Sequence, residues 1–309
     1  MILIETPENP PPDGAEVHEV KGYKGARLRV CIAPATGAPR GTVILFEGYT
    51  EFIEKYFETM RDLQARGFTT IIMDWRGQGL SFRKLKNPHI YYIQNFDEPV
   101  RDLIKALEHF KDRLPRPWVT FAHSMGGAIA LRALLIERIR PEAAFFSAPM
   151  WGLTAATLQN RLWSRFMRLI GLGRLPVTIV PKDPREEVFT ENKVTSDEAR
   201  FTRNWAVWRA CPGIRIAGPT FTWFAAACDV TQWFRKTSRT KRLRFPITVL
   251  SGTEETIVRN ESHDALVARL PDVVHKKIDG ARHELLQERD VYRDQALAAF
   301  DDLLKRAGI

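Results

Sequence analysis

Only three cysteines occur in 309 residues, and Cys31, Cys211 and Cys228 are widely spaced and odd in number. They match neither a metal-ligand spacing nor a disulfide framework, which points to a reducing compartment. Long apolar runs are also missing, none approaching the roughly 18 residues that a spanning helix needs. The stretch from Met1 to Pro7 has no basic leader and no apolar segment of a secretory signal. The expected location is cytoplasmic, with a peripheral place at the inner membrane face left open. Internal repeats and low-complexity tracts are absent, and nothing in the composition suggests disorder or a fibre.

What is present describes a globular chain. Apolar residues make up 44%, aromatics 10% and charged residues 27%. The length suits an α/β body carrying one appended lobe. The net charge of +9 attracts anionic lipid or polyanions generally, but says nothing about fold. No nucleic-acid-binding module accompanies that charge, so no nucleic-acid partner is expected.

Residues 6–14 are proline-rich and read as an extended arm. Alternation at Val17–Val20 and Leu28–Ile32, across a glycine-containing turn, predicts an opening hairpin. Short apolar runs then alternate with amphipathic helices, the pattern of βαβ units in a mostly parallel central sheet flanked by helices. Core strands are expected at Thr42–Phe46, Thr69–Met73, Trp118–Ala122, Ala143–Phe146, Ile247–Leu250 and Val274–Ile278. Helical spacing recurs at Val100, Leu103, Ile104, Leu107 and Phe110, and at Ala128, Leu131 and Leu135.

This regularity stops near Met150 and resumes near Phe245, an interval of about 95 residues and too long for a simple loop. It holds six of the eight tryptophans: Trp151, Trp163, Trp205, Trp208, Trp223 and Trp233. The expected division is an α/β core of residues 1–149 and 241–309 with a mainly helical cap, 150–240, inserted before the last strands. The aromatic load suggests a lobe that folds onto the main body and lines something apolar.

The strongest chemical signal is Phe121-Ala122-His123-Ser124-Met125-Gly126-Gly127, between an apolar strand and a helix. A small-Ser-small match alone arises by chance; between strand and helix it has the context of a nucleophile elbow. The sharp turn demands tiny neighbours, and alanine at 122 replaces the usual glycine. It would lift the Ser124 hydroxyl above the sheet while the helix start offers Met125 N–H to a developing oxyanion.

A serine nucleophile needs a base. His123 adjoins it and points elsewhere on the turn, while His18, His89, His109, His263 and His275 read as surface or structural positions. His283 follows the last expected strand in Asp279-Gly280-Ala281-Arg282-His283-Glu284-Leu285-Leu286. The chain order serine, acid, histidine puts the acid after Ile247–Leu250, where Glu254 and Glu255 both stand; motif register favours Glu255. The second oxyanion donor is expected after the first core strand, in Phe46-Glu47-Gly48-Tyr49-Thr50, with Tyr49 N–H as the candidate. The plain alternative for either glutamate is a solvated loop carboxylate.

Taken together the chain resembles the α/β-hydrolase superfamily, and within it the bacterial lysophospholipase and monoacylglycerol lipase branch. The resemblance runs over nearly the whole chain. It rests on Gly48-Tyr49-Thr50-Glu51-Phe52 with Lys55-Tyr56, Asp74-Trp75-Arg76-Gly77-Gln78-Gly79-Leu80-Ser81, His123–Gly127, Gly218-Pro219-Thr220 and Gly280–Leu286. It implies hydrolysis of single-chain acyl glycerolipids without metal or organic cofactor. Ser124, Glu255 and His283 take the triad places in that comparison, and Tyr49 and Met125 the oxyanion places. Two positions depart from the pattern: many relatives carry histidine-glycine where Glu47-Gly48 stands, and the acid is often aspartate. The Asp74–Ser81 segment reads as a scaffold loop.

Within the expected cap, Leu158, Leu162, Phe166 and Leu169 share one helical face, Arg161, Arg165 and Arg168 another, and Gly171 would end the helix. Such a helix is either membrane-surface or lid material, or a cap helix packed inward with solvated arginines. The run Arg235–Arg244 has no acidic residue and reads as a contact for anionic headgroups or as a solvated linker. Three functional readings follow: a lysophospholipase or monoacylglycerol lipase, a general carboxylesterase for short or xenobiotic esters, and a non-catalytic ligand-binding homologue. The oligomeric state is not legible.

Overall fold

The computed structural model describes residues 1–180 and 188–309. The expected hairpin forms from β1 (Glu16–Lys21) and β2 (Arg27–Ala33), antiparallel with Val20 opposite Leu28. Then come β3 (Gly41–Phe46), β4 (Phe68–Met73) and the two-residue β5 (Ile90–Tyr91). They are followed by β6 (Trp118–His123), β7 (Ala143–Ser147), the two-residue β8 (Gly218–Pro219), β9 (Ile247–Gly252) and β10 (Val273–Ile278). Eight of these make one sheet in the order β1-β2-β4-β3-β6-β7-β9-β10, and β5 pairs with β8 apart from it. From β4 to β10 every neighbouring pair is parallel; only the β1–β2 and β2–β4 pairs run antiparallel.

Strand composition follows position. In β3, β4, β7 and β9 every residue is buried, because helices cover both faces and each run is apolar or small throughout. The edge strand β10 keeps His275, Lys276 and Lys277 partly in solvent. The flanking helices are α1 (Phe57–Ala65), α2 (Asp97–His109) and α3 (Ser124–Leu135). Three more, α4 (Leu158–Leu169), α5 (Glu198–Ala210) and α6 (Phe221–Lys236), fall between β7 and β9, and α7 (Asn260–Val267) and α8 (Asp290–Ala307) follow. One apolar cluster joins the sheet to α2, α3 and α6; a second, on the opposite face, joins it to α1 and α8.

The interval expected as a cap includes residues 181–187, which lie outside the described residues. Its helix α6 packs on the core, with Trp223, Ala227 and Val230 inside the larger apolar cluster. Thr220 caps it, its side chain accepting from Trp223 N–H at 3.2 Å. The β5–β8 pairing ties this interval to the loop before α2.

Helix α4 inverts one of the two expected arrangements. Its arginines are turned inward on α6, where Arg165 and Arg168 pair with Asp229, and Arg161 and Arg165 donate to Gln232 Oε1. Apart from the buried Met167, its apolar side chains face outward, with Leu169 84% exposed, Leu158 70% and Leu162 58%. The charged side of α6 supplies the reason: a guanidinium facing a carboxylate at an interface is matched, whereas an apolar face there would leave Asp229 without its partners. Gly171, at φ 83°, follows the end of the helix as expected.

The Asp74–Ser81 segment is a scaffold. Asp74, fully buried, accepts from Ile53 N–H at 3.0 Å, Leu80 N–H at 2.6 Å and Arg29 Nη1 at 3.0 Å. Gly79 is obligatory there, since at φ 55° a Cβ would stand 1.9 Å from Asp74 Cγ.

Candidate active site

Where β6 turns into α3, Ser124 adopts φ 48°, a left-handed conformation that costs a non-glycine residue roughly 1–3 kcal/mol. Crowding explains the glycines around it. A Cβ on Gly126 would lie 2.2 Å from Phe46 O and 2.6 Å from Glu47 O, and one on Gly127 2.6 Å from Pro149 Cβ. Met150 N–H donates to Ser124 O at 2.8 Å, holding the turn from the far side.

Two loops at the same edge of the sheet meet that turn. His283 Nε2 stands 2.8 Å from Ser124 Oγ, and its Nδ1 is 2.6 Å from Glu255 Oε2. The carboxylate accepts, so Nδ1 carries the proton and the Nε2 lone pair faces the hydroxyl. Glu255 Oε1 accepts from Ile257 N–H at 2.7 Å and Val258 N–H at 3.2 Å. Burial raises the Glu255 carboxyl, but His283 and the two backbone donors more than offset it, leaving the group below the usual carboxylate range. Glu254 turns outward, its carboxylate 3.8 Å from Arg282 Nε. The acid and base loops approach so closely that a Cβ on Gly252 would meet Ala281 O at 2.2 Å.

The expected oxyanion donors lie on the residue after Ser124 and in the loop after β3, a strand that pairs with β6. Met125 N–H lies in the first turn of α3, where a helix has no acceptor for it. Tyr49 follows β3 in the adjacent loop. Its ring packs against Trp223 at 4.8 Å and Tyr91 at 5.4 Å between centroids, so aromatic contact joins this loop to α6. Glu47 is fully buried, and its Oε1 accepts from Trp75 N–H at 3.1 Å and Gln78 Nε2 at 2.7 Å. Burial, reinforced by the nearby Asp74 charge, pushes this carboxyl well above its usual range.

Other buried histidines occupy structural places. His123 Nδ1–H donates to Ser147 O at 3.0 Å, and burial lowers its pKa to about 4. His263 bridges Ser251 Oγ and Pro149 O, each at 2.7 Å, and burial again pushes it down to about 4. His275 Nε2 also reaches Ser251 Oγ, at 2.9 Å, with Asp264 at 3.2 Å from its Nδ1. That serine is fully buried, so the grouping has no route to substrate.

Sequence reading passed over a second ionic cluster beside His283. Lys55 Nζ sits 2.8 Å from Glu51 Oε1 and 2.7 Å from Glu284 Oε1, all three side chains largely buried. The four-residue spacing of Glu51 and Lys55, and the place of Glu284 next to the base, were its available signals. Among the described residues, no group of His, Cys, Asp or Glu is arranged to hold a metal ion, and no helix is long and apolar enough to cross a membrane.

Comparison with known proteins places this architecture in a family. Residues 37–290 match the family described as serine aminopeptidase, S33. Lysophospholipase L2 of Escherichia coli K12 is 31% identical over 287 residues, covering 85% of this chain and 80% of that protein. Probable lysophospholipase L2 of Haemophilus influenzae is 28% identical over 270 residues, covering 86% and 84%. A monoacylglycerol lipase of Mycolicibacterium smegmatis is 31% identical over a shorter stretch, 36% of this chain and 39% of its own. Among solved structures, a soluble variant of monoglyceride lipase from Saccharomyces cerevisiae superposes with a TM-score of 0.73 at 19% identity, covering 95% and 96%, a likeness of fold. With most of its length matched and its sheet, elbow and loop order those of the fold, the chain belongs to the serine aminopeptidase S33 family of α/β-hydrolases.

Proposed function

We propose that this ester hydrolase cleaves single-chain acyl glycerolipids, lysophospholipids or monoacylglycerols, through an acyl-enzyme on Ser124. The observation that carries the reading is the position of His283, within hydrogen-bond distance of both Ser124 and Glu255. His283 Nε2 takes the hydroxyl proton as Ser124 Oγ attacks the ester carbonyl, and Glu255 steadies the imidazolium. Tyr49 N–H and Met125 N–H receive the oxyanion. His283 then returns its proton to the leaving alcohol, and a water activated by the same imidazole releases the fatty acid.

The substrate class is supported by the two lysophospholipases L2 and the monoacylglycerol lipase to which the chain is similar. Residues 150–240 serve in this reading as the cap over a core of residues 1–149 and 241–309, and Trp223 against Tyr49 is the contact that favours it. The outward apolar face of α4 favours a peripheral contact with anionic membrane. From Gln159 to Val180 no acidic residue occurs to repel an anionic surface, and Arg174, beyond the helix, is an exposed positive charge beside that face.

A panel of lysophospholipids, monoacylglycerols and short p-nitrophenyl esters, run on wild type beside Ser124→Ala, tests these statements. Serine-dependent turnover that rises with acyl length on the single-chain lipids is expected. Turnover confined to short esters overturns the substrate class, and fluorophosphonate labelling of Ser124→Ala overturns the nucleophile.

A further inference from the structure

The geometry points to Gln78 as a positioning residue that aims the Tyr49 N–H at the oxyanion, with Glu51 holding the same loop from its other side. The inference rests on the Ser124 reading above. It begins with a covalent fact: Gly48 C=O and Tyr49 N–H belong to one planar peptide unit, in which a trans bond directs the two groups oppositely. Whatever grips that carbonyl therefore orients that N–H.

Gln78 Nε2 donates to Gly48 O at 2.8 Å. Its second Nε2 proton goes to Glu47 Oε1 at 2.7 Å, and its Oε1 accepts from Thr50 N–H at 3.2 Å. One side-chain amide thus touches residues 47, 48 and 50, spanning the candidate donor without touching it. Gln78 is itself fully buried, so water does not compete for these bonds. The loop bends sharply here, with Thr50 at φ 65°, and a strained segment keeps one geometry only where its surroundings impose it.

The preceding peptide is held from the opposite direction. Gly48 N–H donates to Glu51 Oε2, which also accepts from Tyr56 Oη at 2.6 Å. Lys55 holds the other Glu51 oxygen and bridges to Glu284, the neighbour of His283. Burial raises the Glu51 carboxyl, yet Lys55, His123 and Tyr56 outweigh it and bring it to about 2, so the acceptor stays ionised. A Cβ on Gly48 would lie 2.7 Å from Glu51 Oε2 and 3.1 Å from His123 Cδ2, so only glycine admits this approach. Buried charges of this kind give little net stability over an apolar trio. Their directional effect is to fix both faces of the loop.

Steady-state kinetics on a p-nitrophenyl ester, paired with inhibition by a trifluoromethyl ketone, tests the inference. The ketone's tetrahedral adduct with serine presents an alkoxide to the same donors, so its Ki reads their aim directly. Gln78→Met, similar in length and without hydrogen-bonding groups at its end, is expected to lower kcat roughly ten- to a hundredfold with KM within about twofold, and to raise the ketone Ki in parallel. Glu51→Gln, which keeps an acceptor for Gly48 N–H, should lose much less than Glu51→Ala. Wild-type kcat and Ki in Gln78→Met, with Ser124→Ala inert, overturn the inference alone; turnover in Ser124→Ala instead defeats the nucleophile assignment. Should Gln78→Met fail to fold, Gln78→Asn, which keeps a polar amide but draws it back by one methylene from Gly48 O, decides in the same terms.

Discussion

His283 Nε2 lies 2.8 Å from Ser124 Oγ although 159 residues separate the two in the chain. One loop follows β6 and the other β10, strands at different positions in the sheet, and both open on the same edge because the intervening strands run parallel. A hydroxyl and an imidazole held this way need only a carboxylate behind the ring, and Glu255 stands there.

The two neighbouring glutamates should therefore behave differently. Glu255→Gln removes the charge behind Nδ1 and lets the ring take the wrong tautomer, an effect of about 10⁴ in kcat in a comparable triad. Glu254→Gln changes an exposed group and should leave kcat within about twofold. Parallel kcat measurements on the two variants check the assignment; equal losses would contradict it.

At the elbow, a single methyl should be intolerable. Gly126→Ala drives a Cβ into the Phe46 and Glu47 carbonyls, which belong to the backbone and have nowhere to go. Overpacking of this kind costs roughly 1–3 kcal/mol, and here it also displaces the loop that carries Tyr49, the proposed oxyanion donor. A lower Tm with kcat reduced more than about tenfold is expected, since donors out of place weaken transition-state binding. Ala122→Gly at the other flank, with no methyl to accommodate, should retain most activity.

Stability should fall in mildly acidic solution through His263. Its pKa is about 4 in the fold and about 6.5 in the unfolded chain. Between those values the unfolded chain binds a proton that the folded chain refuses, so stability rises with pH across that window. The contribution is intact above about pH 6.5 and is lost as pH falls to about 4, amounting to about 3 kcal/mol. In His263→Asn this share of the slope disappears while that of His123 remains, and the Tm gap between wild type and variant should narrow from pH 7 to pH 4. A gap that widens would reverse the sign.

Lipid binding should depend on α4. Leu162→Glu with Leu169→Glu alters side chains already in water, so Tm should change little while apolar contact with a bilayer is lost. Co-sedimentation with vesicles containing phosphatidylglycerol should drop for the double variant, and for wild type in high salt. Equal binding of both proteins to anionic and neutral vesicles would remove α4 from this role.

Much of the core was legible because its physics is local. Runs such as Val43-Ile44-Leu45 and Phe145-Phe146 are apolar at successive positions, as doubly covered strands require, and all of them are buried. The elbow was legible for a similar reason: crowding at one turn dictates tiny residues at fixed offsets from Ser124. Orientation was not. The amphipathic pattern of α4 is plain in the sequence, but which face turns inward depends on Asp229 and Gln232, more than 60 residues away.

What the sequence determined by itself was the set of candidate groups and their order: a serine on a sharp turn, a histidine after the last strand, and acids between them. Those are properties of residue type and spacing, and they survive without coordinates. Only the tertiary structure decided which carboxylate meets the imidazole, since Glu254 and Glu255 are chemically alike and differ by which way one loop, pressed against Ala281 at Gly252, directs each side chain. It alone also brought Gln78 and Glu51 to opposite sides of the Gly48 peptide, because hydrogen bonds act over about 3 Å and distances that short between remote residues exist only once the chain has folded.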